Sequence, residues 1–567
     1  MAVIKTKKYF LILLLIIAIG SFFRLWQLDL IPPGLYHDVA INGNDALDTL
    51  KTGNFRVFYP ENNGREGLFI WLIALSFSIF GVSIWSIKIV AAIIGILTVL
   101  GLYLLTKELF NTRALAKGED ERSSSTSQNY IPPDHPPARR AGPSPIVNTQ
   151  FVALISSFFL ATSFWHINFS RIGFRAIMVP FILVFAFYFL FKGLRTQKIR
   201  DLVFAGIIYG LGFYTYTSFR MAVFLLMIVL IIWWLIYKKS AVHTQENLQK
   251  KYLSLVSCYL LLIFLVALPI GIYFLQNPQD FFGRTASVSV FAAENPIKEF
   301  GKSLILHLGM FNFYGDPNWR HNFSGCPMLP WPLGILFLIG FFISIREIFR
   351  KSNYQNQNYQ LLSTFYFLLS TFFIMLLPGI LTYEGIPHGL RVIGVIPVVY
   401  IFTGVGGWYS YQWFWHNLKR KKMLVLTSVI FLLTVGILEF DKYFIKWSSR
   451  PETKGAFSED YAEIGNYLNS LPPETQKYVI VNQPGVPVPY PDGIPMPAQT
   501  IMFIESMKFG KPQSVYLLPE NLEQIKIEKE AVIVPMKYDE DLFGKLQREF
   551  PEGKTQQVNQ IWIFKVK

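Results

Sequence analysis

Residues 31–71 read IPPGLYHDVAINGNDALDTLKTGNFRVFYPENNGREGLFIW. They form a polar island between two apolar runs, 9–28 and 84–106. Each run is long enough to cross a bilayer, which takes about 20 mostly apolar residues. Two spanning helices need only a short turn between them. A connection that instead carries His37, Asp38, Asn42, Asp45, Asp48, Arg65 and Glu66 is more than a spacer. It sets charged chemistry at a membrane surface, and the rest of the chain is read outward from it.

Composition supports the membrane reading. Hydrophobic residues are 52% of the 567 and charged residues 16%, against roughly a quarter charged in a soluble protein. The mean hydropathy is +0.36. The formal charge of +15 would suggest nucleic acid in a soluble chain. Here the basic residues sit in short loops between apolar runs, the positive-inside pattern, so no nucleic-acid partner is inferred. Cys258 and Cys326 show neither a metal spacing nor a disulfide framework. The N-terminal run lacks a good cleavage site and reads as a first spanning helix.

Further apolar runs lie at 151–168, 175–192, 202–217, 221–237, 252–275, 331–347, 361–380, 391–408 and 423–440. With the first two they give about 11 transmembrane helices. The run 67–80 is shorter. The basic clusters near 5–8, 107–117, 192–200, 238–251, 346–351 and 419–422 share one side only if 67–80 does not cross, so it reads as a juxtamembrane or re-entrant helix. The basic side is then cytoplasmic. The first loop (29–83), the turn 169–174, residues 218–220, the long loop 276–330, the loop 381–390 and everything after Asp441 face outward.

Two stretches differ in kind. Residues 118–149 are rich in Ser and Pro without apolar periodicity and read as a disordered cytoplasmic insert. Residues 441–567 alternate helical and strand-like patterns, with strands near 478–481, 514–518, 531–535 and 560–566, and read as a small α/β extracytoplasmic domain. The fold class is therefore mainly α and polytopic: a transmembrane module over 1–440 with juxtamembrane helices, followed by that domain.

Carboxylates at a membrane surface can act as general bases or hold a divalent cation. Asp38 is the leading candidate for the base. Asp45 and Asp48 are open between function and capping a short interfacial helix. Arg171, Arg175, Arg220, Arg284, Arg320 and Arg391 all fall at outer helix ends or in outer loops, against the positive-inside bias. Guanidinium forks match phosphate oxygens, and Arg171, Arg175, Arg220 and Arg391 are the candidates for a phosphate at that interface. Snorkelling, or pairing with Asp316 and Glu384, is the alternative. His321 and His388 are open between proton transfer, metal ligation, substrate contact and ordinary hydrogen bonding. No metal is named, and a divalent cation stays open.

The first-loop pattern resembles the GT-C glycosyltransferases: Pro32-Pro33-Gly34, an aromatic and an acidic residue, Asn42-Gly43-Asn44-Asp45-Ala46, then Gly64-Arg65-Glu66-Gly67-Leu68-Phe69-Ile70-Trp71. Within them it resembles the group of protein O-mannosyltransferases, lipid A aminoarabinose transferases and bacterial family-39-type enzymes. Ser170-Arg171-Ile172-Gly173-Phe174-Arg175, residues 214–220, the 315–322 stretch GDPNWRHN, Glu384, Pro387-His388 and Arg391 extend the likeness over most of 10–440. In that family the first-loop Asp is catalytic and usually followed by Glu. Here Val39 follows Asp38, so no role for a second adjacent carboxylate carries over.

The resemblance implies an enzyme that moves a sugar from a polyprenyl-phosphate-linked donor to an outward-facing acceptor by inverting displacement. The acceptor class is open among protein, lipid and cell-surface polymer. Asp45, Arg65, Glu66, Asp316, Arg320, His321, Glu384 and His388 would then bind substrate or support the site. The other reading is a lipid or solute transporter or flippase of the cell envelope. Transporters keep ionisable residues near the bilayer midplane, whereas here the charge gathers at one face.

Overall fold

The structure, a computed structural model, describes residues 2–111, 147–240, 246–283, 285–350, 359–488 and 493–566. The expected insert 118–149 lies almost wholly outside the described residues, as does Arg284. Among the described residues nine helices are long and apolar enough to cross a membrane, or ten if the bent pair Thr149–Thr162 and Phe164–Arg171 counts as one span. The chain is a multi-pass membrane protein.

The difference from eleven lies mainly at 202–217. That run forms the helix Ile199–Leu211, followed by 3-10 turns at Gly212–Tyr214 and Thr217–Met221. The helix alone is too short for the hydrocarbon core. The short apolar helix Leu68–Phe80 packs on His37–Thr52 and Ile84–Leu109. We call His37–Thr52 α1 and Leu68–Phe80 α2.

Packing inside the bundle follows the membrane rule that small residues let backbones approach. The helices Trp331–Phe349 and Ile396–Asn417 meet at Gly340 and Gly406. A methyl group on either would lie 1.9 Å from a carbonyl oxygen of the other helix.

The polar loops gather at one end of the bundle, against the C-terminal unit, which contains a sheet. That sheet has five strands: β1 Gln476–Ile480, β2 Val515–Leu517, β3 Ala531–Pro535, β4 Lys554–Val558 and β5 Ile561–Val566. Their order is β2-β1-β3-β5-β4. β1 runs parallel to β2 and β3, and β5 antiparallel to β3 and β4. The helix Gln499–Phe509, α3, joins this unit to α1. Asn44 Nδ2 donates to Gln499 Oε1 at 2.8 Å, and Thr500 Oγ1 donates to the Leu35 carbonyl at 2.9 Å. Phe503 packs on Gly43 and stacks with Phe77.

Candidate functional site

A cavity of about 730 Å³ opens where these loops converge. Asp38 lies in its lining, in the first turn of α1. A helix N-terminus favours negative charge, and the helix stops where Gly53 takes the left-handed conformation, at φ 70°. Asp38 Oδ1 accepts from Asn62 Nδ2 at 2.8 Å, and its side chain stays 41% exposed. Burial pushes the neighbouring His37 imidazole down from its ordinary value. Asp38 opposes that shift and Arg320 adds to it.

Asn62 comes from a tight hairpin. Phe58–Tyr59 pairs with Arg65–Glu66, and the turn puts Asn62, Asn63 and Gly64 at φ 54°, 62° and 88°. Asn tolerates this region and Gly adopts it freely. A methyl on Gly64 would also strike the Phe58 ring, at 2.5 Å. The hairpin delivers Glu66, 2% exposed, to the cavity wall. There Glu66 accepts from Arg175 Nε at 3.1 Å and lies 3.9 Å from Arg220. One carboxylate thus orients two guanidinium groups.

Arg175 also donates to the Gly64 carbonyl at 3.1 Å and lies over the Tyr216 ring. Arg220 donates to the Phe281 carbonyl and lies over the Phe281 ring, 4.4 Å from its centre. Arg391 donates to Thr382 Oγ1 at 2.8 Å and to the Glu384 carbonyl at 2.7 Å. Arg320 stacks on Tyr36 at 4.1 Å, and its buried Nε has no hydrogen-bond partner. All four arginines line the cavity, as do Glu384, His321 and His388. Asp316, fully buried, accepts from His321 Nδ1 at 2.9 Å and from the Gly389 N–H at 2.6 Å. Asp316, His321 and His388 bring one ligand atom each within 4.8 Å of one another, a grouping able to hold a metal ion.

Arg171 is a correction to the expected phosphate set. It is fully buried and outside the cavity lining. Its NH1 donates to the Phe23 carbonyl and its NH2 to those of Trp26, Gln27 and Ile31, all at 2.8–3.0 Å. The Phe444 ring lies 5.0 Å away. A guanidinium so occupied fastens the start of the first loop. Lys88 adds a bond to the Pro32 carbonyl at 2.9 Å.

Asp45 and Arg65 are likewise buried and off the cavity. They pair at 2.5 Å, and Arg65 also donates to Asn42 Oδ1 at 3.0 Å. Burial pushes the Asp45 carboxyl up while Arg65 pulls it down. This pair clamps the hairpin to α1. Asp48 is exposed.

Tyr36 and Asn318 lie inside the motifs quoted from the sequence without being singled out, and Asn62 and the C-terminal wall of the cavity, Pro484–Val486 with Met496 and Pro497, were missed. The Asn-Asn-Gly triplet was a readable turn signal for Asn62. Nothing local marks the C-terminal residues, because their placement depends on α3 docking on α1.

The chain has a GT-C type membrane fold. Two crystal structures of ArnT from Cupriavidus metallidurans share it. The one bound to undecaprenyl phosphate has a TM-score of 0.55 at 12% identity, with 100% of this chain and 98% of that chain covered. The apo form has a TM-score of 0.56 at 12% identity, with 99% and 98% covered. The family model described as dolichyl-phosphate-mannose-protein mannosyltransferase matches residues 68–116. No curated protein matches the chain in sequence.

Proposed function

We propose that the protein is a glycosyltransferase that moves a sugar from a polyprenyl-phosphate-linked donor to an outward-facing acceptor. The observation that carries this is the convergence of Asp38 with Arg175, Arg220, Arg320 and Arg391 in one cavity at the end of a membrane bundle. The fold shared with ArnT bound to undecaprenyl phosphate supports it.

In this reading the donor phosphate lies against Arg175, Arg220 and Arg391, with Arg320 adjacent, and the prenyl tail runs into the bilayer. The acceptor hydroxyl attacks the anomeric carbon and the bond from that carbon to the phosphate oxygen breaks. The bonding pair leaves with the phosphate, whose charge the arginines stabilise. Asp38 takes the hydroxyl proton. One displacement inverts the anomeric configuration. Glu66 keeps two arginines aimed, and the Asp45–Arg65 clamp holds the hairpin that carries Glu66. The domains divide this work: residues 1–440 carry the chemistry and 441–567 close the cavity from outside the cell.

Liposomes carrying the purified protein and radiolabelled undecaprenyl-phosphate sugars test the reading. Sugar release or transfer is expected. Translocation of the lipid without sugar release contradicts it. A cysteine at Lys511, but not one at Lys419, should react with a membrane-impermeant reagent on intact cells; the reverse pattern overturns the orientation.

A further inference from the structure

Three histidines meet beside the arginines, and heavy-atom contacts assign their protons. His321 Nδ1 lies 2.9 Å from Asp316 Oδ2. A carboxylate oxygen only accepts, so Nδ1 carries the proton. Asp316 is fixed in turn by the Asn318 N–H at 2.8 Å and the Gly389 N–H at 2.6 Å. In the neutral ring the lone pair is then on Nε2, the nitrogen Asp316 does not occupy, and the residue lines the cavity.

His388 is the complement. Its Nδ1 accepts from the Arg391 N–H in a long contact of 3.4 Å and lies 3.9 Å from Asp316 Oδ2, beyond hydrogen-bond reach, so the backbone contact leaves the proton of the neutral ring on Nε2. Its backbone N–H donates to His307 Nε2 at 3.1 Å, and His307 Nδ1 donates to the Ser303 carbonyl at 2.8 Å. Burial holds His388 well below its ordinary value, and His321, Arg391, His307 and Arg320 add to that shift.

The ring centres of His321 and His388 are 4.8 Å apart. One ring offers the cavity a lone pair and the other an N–H. That pairing matches a hydroxyl, which both donates and accepts. A phosphate only accepts and is served by the arginines. A metal held by Asp316 together with both rings would compete with N–H groups already seated on both carboxylate oxygens, those of His321 and Gly389 on Oδ2 and that of Asn318 on Oδ1.

Resting on the transferase reading above, we infer that His321 and His388 form a hydroxyl subsite for the bound sugar. Asp316 is the positioning residue that keeps the His321 lone pair facing it. This assigns the sugar and the phosphate of one donor to two different groups of side chains.

The test measures binding of bare undecaprenyl phosphate and of a set of undecaprenyl-phosphate hexoses and pentoses to full-length protein in nanodiscs. His321→Asn keeps an amide N–H for Asp316 and removes the cavity acceptor. His321→Gln places an amide near the Nε2 position. Wild type should hold at least one sugar lipid more tightly than the bare lipid. His321→Asn should lose about 3–10-fold of that preference, with bare-lipid affinity within about twofold and partial recovery in His321→Gln. Equal binding of all sugar lipids by wild type and His321→Asn overturns the subsite.

Stoichiometric zinc in purified wild type that disappears in His321→Asn also overturns it, in favour of a metal centre. Failure of wild type to bind bare undecaprenyl phosphate removes the transferase reading itself, and the subsite with it. Nitrogen-15 spectra of histidine-labelled wild type supply a readout that needs no variant to fold. An Nδ1–H tautomer for His321 is expected, and an Nε2–H tautomer contradicts the assignment.

Discussion

Arg171 ends one helix and Arg175 opens the next turn, four residues along the same bend. Arg171 is surrounded by the carbonyls of Phe23, Trp26, Gln27 and Ile31 and by the Phe444 ring. Arg175 meets a carboxylate, one carbonyl and a cavity. A buried guanidinium is costly unless its donors are satisfied, and Arg171 has four carbonyl acceptors from the end of the first helix and the start of the loop, with Nε left without a partner. Arg175 is oriented at one edge by Glu66 and lines a space able to admit an anion. The same side chain thus serves architecture at one position and, in our proposal, ligand binding at the other. The exposed lining, not the residue type, separates the two.

Removing the fastener should have the largest effect on folding. Arg171→Gln leaves several carbonyls without donors, and we expect about 3 kcal/mol or more of destabilisation, seen as loss of monodisperse protein in detergent. A well-folded Arg171→Gln protein with weakened undecaprenyl phosphate binding would reverse the comparison.

Arg175→Gln and Arg220→Gln should do the opposite. Each should keep the wild-type melting profile and lose about 1.5–3 kcal/mol of undecaprenyl phosphate affinity, roughly tenfold to a hundredfold, measured by titration in nanodiscs. Unchanged affinity in both variants would leave the cavity arginines without a ligand.

A smaller effect sharpens the contrast between buried and lining groups. Burial lowers the His307 pKa to about 4, with Arg391 adding to the shift against the Ser303 bond and Asp316. The unfolded chain therefore binds this proton first. The stabilising contribution is full above about pH 6.5 and falls as pH drops towards 4. By pH 5.5 the loss is about 1.4 kcal/mol. His307→Gln should reduce the difference in melting temperature between pH 7.5 and pH 5.5; an identical difference would contradict the assignment.

Much of this arrangement was legible in the sequence. The basic loops ordered the spans, and segments expected to share a face, such as those holding Asp38, Arg220, Arg320 and Arg391, do line one cavity. The burial of Arg171 was not legible, since its acceptors are backbone carbonyls with no side-chain signature. Strand β4 was missed because Lys554–Val558, KTQQV, is an edge strand with almost every residue exposed. It has no apolar alternation to read. The break after Leu211 was hidden inside a run that stays largely apolar through the first 3-10 turn, Gly212–Tyr214. Asp45, open in the sequence between function and helix capping, is occupied by Arg65, a partner twenty residues on that only the hairpin brings near.

Asp38→Asn tests the central claim most directly. The substitution keeps the size and an acceptor for Asn62 but removes the base. With a labelled undecaprenyl-phosphate sugar in liposomes, we expect turnover to fall by about 10²–10⁴, while undecaprenyl phosphate affinity and the melting profile stay at wild-type values. Near-normal sugar transfer by a correctly inserted Asp38→Asn protein would contradict the account.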